Sequence, residues 1–261
     1  MDLLIGIVTS PRKQRYLIQT IEGIRRASLD HKPTILVQPN FVDPGEDWER
    51  VKALGCEVLP PLWDCTLEEK AAAIGWTEEK GSVYGSEWSH RGLQLNSDLL
   101  IRRLLERDEK WFVTMQDDLL FCPRAIDRIA RVRGNIRNRI NGTGDNVGLI
   151  SFYSPYERFS RSRIALAIYP SSTFYGDLCL LWRREAAVHF LQHSRATEAH
   201  DLEIARVFQE QRRWLIWAHS PCLVQHAGIE ASARGATNGG QRTTMNWIPN
   251  HDAVKQGKLL R

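Results

Sequence analysis

No stretch of this chain is apolar for long enough to cross a bilayer. The opening Met1-Asp2-Leu3-Leu4-Ile5-Gly6-Ile7-Val8 has no basic flank and is too short for a signal h-region, so a cytoplasmic protein without a membrane span is expected. Cysteine is sparse: Cys56, Cys65, Cys122, Cys179 and Cys222 are odd in number, widely spaced and free of Cys-x-x-Cys pairs. That pattern argues against a disulfide framework and against a structural zinc site. A Gly-x-x-x-x-Gly-Lys-Ser/Thr loop is absent, as is Gly-x-Gly-x-x-Gly after the first apolar run, so any nucleotide must be held without the usual phosphate-cradling loops. Internal repeats and interdomain linkers are missing too. What is there, 261 residues with 43% hydrophobic and 25% charged side chains, is enough for one compact domain over residues 1–261. A net charge of +4, from 35 basic against 31 acidic residues, favours anionic partners without being extreme.

The first half alternates. Leu3 to Val8 reads as a strand ended by Thr9-Ser10-Pro11, and the apolar spacing of Leu17, Ile21 and Ile24 reads as a helix. Thr34 to Val37 is a second strand that stops at Pro39-Asn40, which makes a parallel β-α-β start; a short third strand is expected at Cys56 to Leu59. Helices are expected around Thr66 to Ile74 and from Trp88 to Glu106, followed by a buried strand, Trp111 to Met115. That strand delivers Gln116-Asp117-Asp118 at its carboxyl end, where open α/β sheets bind ligands. The second half is mixed. It reads as a basic helix from Pro123 to Arg139, strands at Val147 to Phe152 and Ile164 to Tyr169, helices at Arg184 to His193 and Asp201 to Gln211, and strands at Trp214 to Trp217 and Cys222 to Gln225. Gly228 to Thr244 has the composition of an irregular loop that could close over a bound ligand.

Adjacent carboxylates repel and are costly to desolvate unless a cation compensates, so Asp117-Asp118 after a buried strand reads either as a solvated turn or as a divalent-metal site. Oxygen donors of this kind suit Mg²⁺ or Mn²⁺. Arg12, Lys13 and Arg15 stand at the junction of the first strand with its helix, where guanidinium groups and a helix N-terminus hold phosphate, or where a helix simply begins in solvent. His189 and His193 are one helical turn apart, but Phe190 stands where a zincin has Glu, so a solvated helix face is expected there.

Thr9-Ser10-Pro11-Arg12, Asn96-Ser97-Asp98 and Met115-Gln116-Asp117-Asp118 follow one another in the order found in GT-A glycosyltransferases. The chain most resembles the N-acetylglucosaminyltransferase IV family, with Trp88 ahead of Asn96-Ser97-Asp98 and with Ser220-Pro221-Cys222-Leu223-Val224-Gln225-His226-Ala227-Gly228 similar to that family's Pro-Ser-Leu-Phe-Gln-His-Val-Gly block. The resemblance implies an α/β fold, a single GT-A (Rossmann-like) domain with a mixed central sheet flanked by helices. It divides the domain into a nucleotide-binding half, residues 1–120, and an acceptor and catalytic half, residues 121–261. It implies a Mn²⁺ or Mg²⁺ cofactor held by Asp118 and His226, and a nucleotide-sugar donor, of the UDP type, met by Thr9, Arg12, Asn96, Asp98, Gln116, Asp117 and Gly176. Asp201 is then the base of an inverting hexosyl or N-acetylhexosaminyl transfer, although an Asp opening a helix is also an ordinary cap. Gln116 departs from the pattern, which has an acid there.

The acceptor stays open between a glycan and a hydroxymethylated base in DNA. Arg124, Arg128, Arg131, Arg133, Arg137 and Arg139 would suit a phosphate backbone. The same arginines support a different class of protein, a non-catalytic nucleic-acid-binding module. A nucleotidyltransferase would share the β-α-β start and the metal carboxylates.

Overall fold

The structure is a computed structural model that describes residues 3–11, 15–73, 87–139, 146–154, 166–171, 174, 176–195 and 199–227; for residues 87–91 and 137–139 it describes the backbone. Arg12, Lys13 and Gly228 to Thr244 lie outside these residues, as does the side chain of Trp88.

The first half contributes strands β1 (Leu4–Thr9), β2 (Thr34–Pro39), β3 (Cys56–Val58), β4 (Trp111–Gln116) and β5 (Leu119–Phe121), with helices α1 (Leu17–Arg26), α2 (Trp48–Ala53), α3 (Leu67–Ala73) and α4 (Glu87–Leu105). The second contributes α5 (Ala125–Arg139), β6 (Val147–Ser151), β7 (Leu166–Tyr169), β8 (Cys179–Arg183), α6 (Arg184–His193), α7 (His200–Gln211), β9 (Leu215–His219) and β10 (Val224–His226). Eight strands make one sheet in the order β3-β2-β1-β4-β8-β6-β9-β7. The pairs β1 with β2, β1 with β4 and β2 with β3 are parallel, whereas β8 runs antiparallel to both β4 and β6. The expected mixed sheet flanked by helices is therefore present. Its centre is β8, whose apolar run Leu178 to Trp182 the sequence reading leaves unassigned. Helix α5 begins at Ala125 rather than Pro123 because Arg124 takes a left-handed backbone, with φ of 59°.

Successive strand residues point to opposite faces, and each face builds its own core. Ile5, Ile7, Val113, Met115, Cys179 and Leu181 pack with Leu17 and Ile21 of α1 and with Ile126 and Ile129 of α5. Leu4, Phe112, Leu180 and Trp182 pack on the other face with Leu100 and Leu104 of α4, Phe190 of α6 and Phe208 of α7. Gly6 lets α4 sit close to the sheet, since a Cβ there would lie 2.7 Å from Leu100 and 2.8 Å from Leu104. Chain order turns back between β1 and β4: β2 and β3 lie to one side of β1, and the return strand β4 to the other. A crevice outside the carboxyl ends of the strands at such a switch point is where this kind of sheet takes ligands.

Candidate functional site

Thr9 ends β1 and Asp117 follows β4, so both stand at the switch point. Thr9 Oγ1 donates to Asp117 Oδ2 at 2.5 Å, and both residues are buried. The turn after β4 is pinned from below by Thr20 of α1, whose fully buried hydroxyl donates to the Asp117 carbonyl at 2.7 Å and accepts from the Leu119 N–H at 3.0 Å. One hydroxyl thus satisfies two backbone groups that a tight turn would otherwise leave buried without partners.

Asp118 is 1% exposed. Strand β5, directly after it, pairs antiparallel with β10, and this register sets His226 opposite Leu119. The pairing brings His226 Nε2 to 3.0 Å from Asp118 Oδ2, while the Ala227 N–H donates to the Asp118 carbonyl at 2.7 Å. A two-stranded ribbon therefore carries an imidazole from near the end of the described chain onto the second aspartate. Carboxylate and imidazole converging at this distance are a fitting donor set for a divalent cation that keeps its other positions for phosphate oxygens and water. No third His, Cys, Asp or Glu joins them as a metal-binding cluster among the described residues. His189 and His193 pack on each other with ring centroids 4.3 Å apart and form no such cluster either.

Gln116 points elsewhere. Its Nε2 donates to Asp177 Oδ1 at 2.7 Å, and His200 Nδ1 lies 2.8 Å from Asp177 Oδ2. Next to Asp177, Gly176 adopts φ of 93°, a conformation natural to glycine, and its N–H donates to Asp201 Oδ2 at 3.0 Å. Asp201 also accepts from its own neighbour Leu202, at 2.9 Å. Burial, followed by the charge of Asp177, raises the Asp201 pKa above the usual carboxylate value, against the Gly176 and Leu202 N–H groups and the charge of His200. For His200, burial works against protonation, yet the hydrogen bond and charge of Asp177, with Asp98 and Asp201, together raise its pKa. Asp98, assigned above to the donor, faces this cluster: Ser194 Oγ donates to it at 3.3 Å, and burial raises its pKa against the charge of His200.

Polar side chains gather beside the ends of β1 and β2. Asn96, fully buried, donates to the Gln38 carbonyl at 3.0 Å and reaches the Thr9 carbonyl at 3.5 Å, tying α4 to the ends of β1 and β2. The side-chain oxygens of Gln38, Asn40 and Asn96 and both amide atoms of Gln94 are buried and have no hydrogen-bond partner among the described residues. Asp43, in the loop after β2, accepts a two-pronged pair of hydrogen bonds from Arg15 at 3.0 and 3.1 Å. Glu46 in that loop has its pKa raised by burial first, opposed by Arg15 and reinforced by Asp43 and Asp117. Sequence reasoning singles out neither Glu46 nor Asp43, because nothing in their local pattern distinguishes them from surface loop acids.

On the opposite helix layer, Arg124 is engaged by Asp30 and Asp127, Arg131 pairs with Asp30, and Arg128 is buried. No helix among the described residues is long and apolar enough to cross a membrane.

No protein-family model matches the sequence, and no curated protein does. Solved structures do resemble the chain. Mouse xyloside xylosyltransferase 1 in its apo form is 12% identical, with 84% of each chain covered and a TM-score of 0.42. Glucosyl-3-phosphoglycerate synthase from Mycobacterium tuberculosis, in complex with Mg²⁺ and UDP, is 14% identical over 87% of this chain and 72% of its own, with a TM-score of 0.45. Mannosyltransferase PcManGT from Pyrobaculum calidifontis, in complex with GDP-Man and Mn²⁺, is 13% identical over 86% of this chain and 56% of its own, with a TM-score of 0.46. Likenesses of this size carry no weight for activity, which rests on the residues.

Proposed function

We propose that the chain is a metal-dependent inverting glycosyltransferase of the GT-A type, which moves a sugar from a nucleotide diphosphate donor, UDP by resemblance, to a hydroxyl of a glycan-type acceptor. The observation that carries this reading is the meeting of Asp118 and His226 at 3.0 Å beside the Thr9–Asp117 hydrogen bond, at the switch point of the sheet. Asp118 and His226 would hold Mn²⁺ or Mg²⁺, and the imidazole nitrogen favours Mn²⁺, the softer of the two. The cation, when bound, supplies charge stabilisation to the departing diphosphate. Residues 1–120 are the donor half in this reading, and residues 121–261 the acceptor and catalytic half.

The protein groups divide the remaining work. Thr9 fixes Asp117 for the donor ribose, and the side-chain oxygens of Gln38 and Asn40 and the carboxamide of Gln94, which meet no partner among the described residues, match the hydrogen-bonding needs of a nucleobase edge. Gly176 brings bare backbone next to the sugar. Asp201 is the base: its raised pKa makes it a stronger proton acceptor than an exposed aspartate. It takes the proton of the acceptor hydroxyl as that oxygen bonds to the anomeric carbon. The bond from that carbon to the diphosphate oxygen breaks on the far face, and the electron pair leaves with the nucleotide diphosphate. The finer likeness to the N-acetylglucosaminyltransferase IV family rests on the Ser220 to Gly228 block. Arg124 and Arg131 are engaged by acids and Arg128 is buried, so these three arginines add no support for a DNA acceptor or for a non-catalytic nucleic-acid module.

The test is a panel of nucleotide sugars and saccharide acceptors with Mn²⁺, read by product mass and by NMR of the new anomeric bond. Transfer with inverted stereochemistry, abolished by Asp201→Asn, is the expected result. Retention of configuration, or full activity in Asp201→Asn, contradicts the assignment of Asp201 as base.

A further inference from the structure

Residues 176–177 and residues 200–201 grip each other reciprocally. The Gly176 N–H holds the Asp201 carboxylate, and His200, next to Asp201, holds the Asp177 carboxylate, next to Gly176. The second Asp177 oxygen is taken by Gln116, two residues before Asp118. The clamp is thus anchored to the strand end that carries the metal-binding turn.

His200 is the pivot of this arrangement. It is 5% exposed, and the charged groups around it come from three elements: Asp98 from α4, Asp177 from the approach to β8, and Asp201 from its own helix. Glu203, one turn further along α7, is occupied by Arg206 at 2.6 Å. From α6 comes Phe190, edge-on at 5.6 Å, and from just after it Ser194, which is bonded to Asp98. Three carboxylates about one imidazole need a positive charge more than a neutral donor. The void beside the ring, bounded by Ser97, Thr114 and Asp177, is about 10 Å³, room for about one water, so the ring has little freedom to turn.

Resting on the transferase reading, we propose that His200 is a positioning residue for sugar transfer: by locking Asp177 against Gln116 while its neighbour Asp201 is locked by Gly176, it sets the Asp201 carboxylate relative to the metal-binding turn. The role explains why Gln116 departs from an acidic residue. A carboxylate at that position would face Asp177, whereas the amide donates to it.

The experiment compares wild type, His200→Leu and His200→Asn, using the nucleotide sugar that the panel identifies, with Mn²⁺-dependent UDP binding measured separately. His200→Leu removes both the hydrogen bond and the charge; His200→Asn keeps a donor where Nδ1 stood. The expected result is a loss in kcat of about 100-fold for His200→Leu with UDP affinity unchanged, since a misplacement of about 1 Å costs that much. His200→Asn recovers most of kcat but moves the acid limb of the kcat pH profile upward, because the charge that holds the Asp201 pKa down is gone. A merely structural histidine would not move that limb. Unchanged kcat and an unchanged limb in His200→Asn, or UDP affinity falling in parallel with kcat, overturns the proposal, and His200→Asn decides it if His200→Leu does not fold. A wild type that binds UDP with Mn²⁺ while the variants transfer normally removes only the role of His200. One that neither binds UDP with Mn²⁺ nor transfers any sugar removes the function and this role together.

Discussion

Replacing Gln116 by Glu changes one NH₂ group to oxygen, yet it sets a carboxylate where Gln116 Nε2 now stands, 2.7 Å from Asp177 Oδ1. At an effective dielectric of about 20, two unit charges about 4 Å apart repel by roughly 4 kcal/mol. The new glutamate can escape by keeping its proton and donating it to Asp177. Holding a proton at pH 7 costs a glutamate with an ordinary pKa of about 4.3 roughly 3.7 kcal/mol. The smaller of the two penalties governs, and the half-buried position lowers the repulsion further, so Gln116→Glu should lose about 2–4 kcal/mol of stability at pH 7. Protonation in the folded state means a raised pKa, so the deficit shrinks by up to about 1.4 kcal/mol for each pH unit of acidification. Adding Asp177→Asn offers a complementary set, with the introduced amide donating to the introduced carboxylate and its carbonyl accepting from His200, so the double variant should recover most of the loss. The assay is urea denaturation of wild type, both single variants and the double variant at pH 7 and pH 5. A Gln116→Glu protein as stable as wild type at pH 7, or a deficit indifferent to pH and to Asp177→Asn, would refute the argument.

Thr20→Val keeps the shape of the side chain but leaves the Asp117 carbonyl and the Leu119 N–H without their shared partner; a stability loss of about 1–3 kcal/mol and weaker Mn²⁺-dependent nucleotide binding are expected, by denaturation and calorimetry. The rate should fall as pH drops through the raised pKa of Asp201, because the protonated carboxyl cannot take the acceptor proton; a pH profile of kcat should place that limb above the ordinary aspartate value. His200 binds its proton more tightly when folded, so its contribution to stability is full below the ordinary histidine value of about 6.5 and is lost as pH rises through the raised one. Denaturation across that range should show the decline in wild type and not in His200→Asn.

The β-α-β start is legible because strands buried on both faces read as unbroken apolar runs, and α6 is read to the residue, as Arg184–His193, from its helical spacing. Strand β8 escapes although Leu178 to Trp182 is just such a run, because its approach through Gly176-Asp177 looks like loop. Strand β5, at three residues, is too short to show any periodicity. The pairing of Asp118 with His226 is nameable only by resemblance. What joins His226 to Asp118 is the register of β10 on β5, a long-range pairing that no spacing in the chain encodes. The clamp is hidden for the same reason: His200 reads as the neighbour of a helix-opening aspartate, and its hold on Asp177 exists only once α7 has packed beside the end of β4. Two arginines of the basic segment, Arg124 just before α5 and Arg131 on it, pair with Asp30, and Arg124 with Asp127 as well, which no local spacing shows.

In the proposed function Asp118 and His226 form one divalent-cation site for a nucleotide diphosphate. Its most direct test is calorimetric titration of UDP into wild type, Asp118→Ala and His226→Ala, each with Mn²⁺ and with EDTA. Binding in wild type should need Mn²⁺ and should weaken about 100-fold or more in either variant, at least as much as on loss of an outer-shell partner of a metal ligand. Equal affinity in EDTA, or a His226→Ala protein that binds UDP and Mn²⁺ as wild type does, would contradict it.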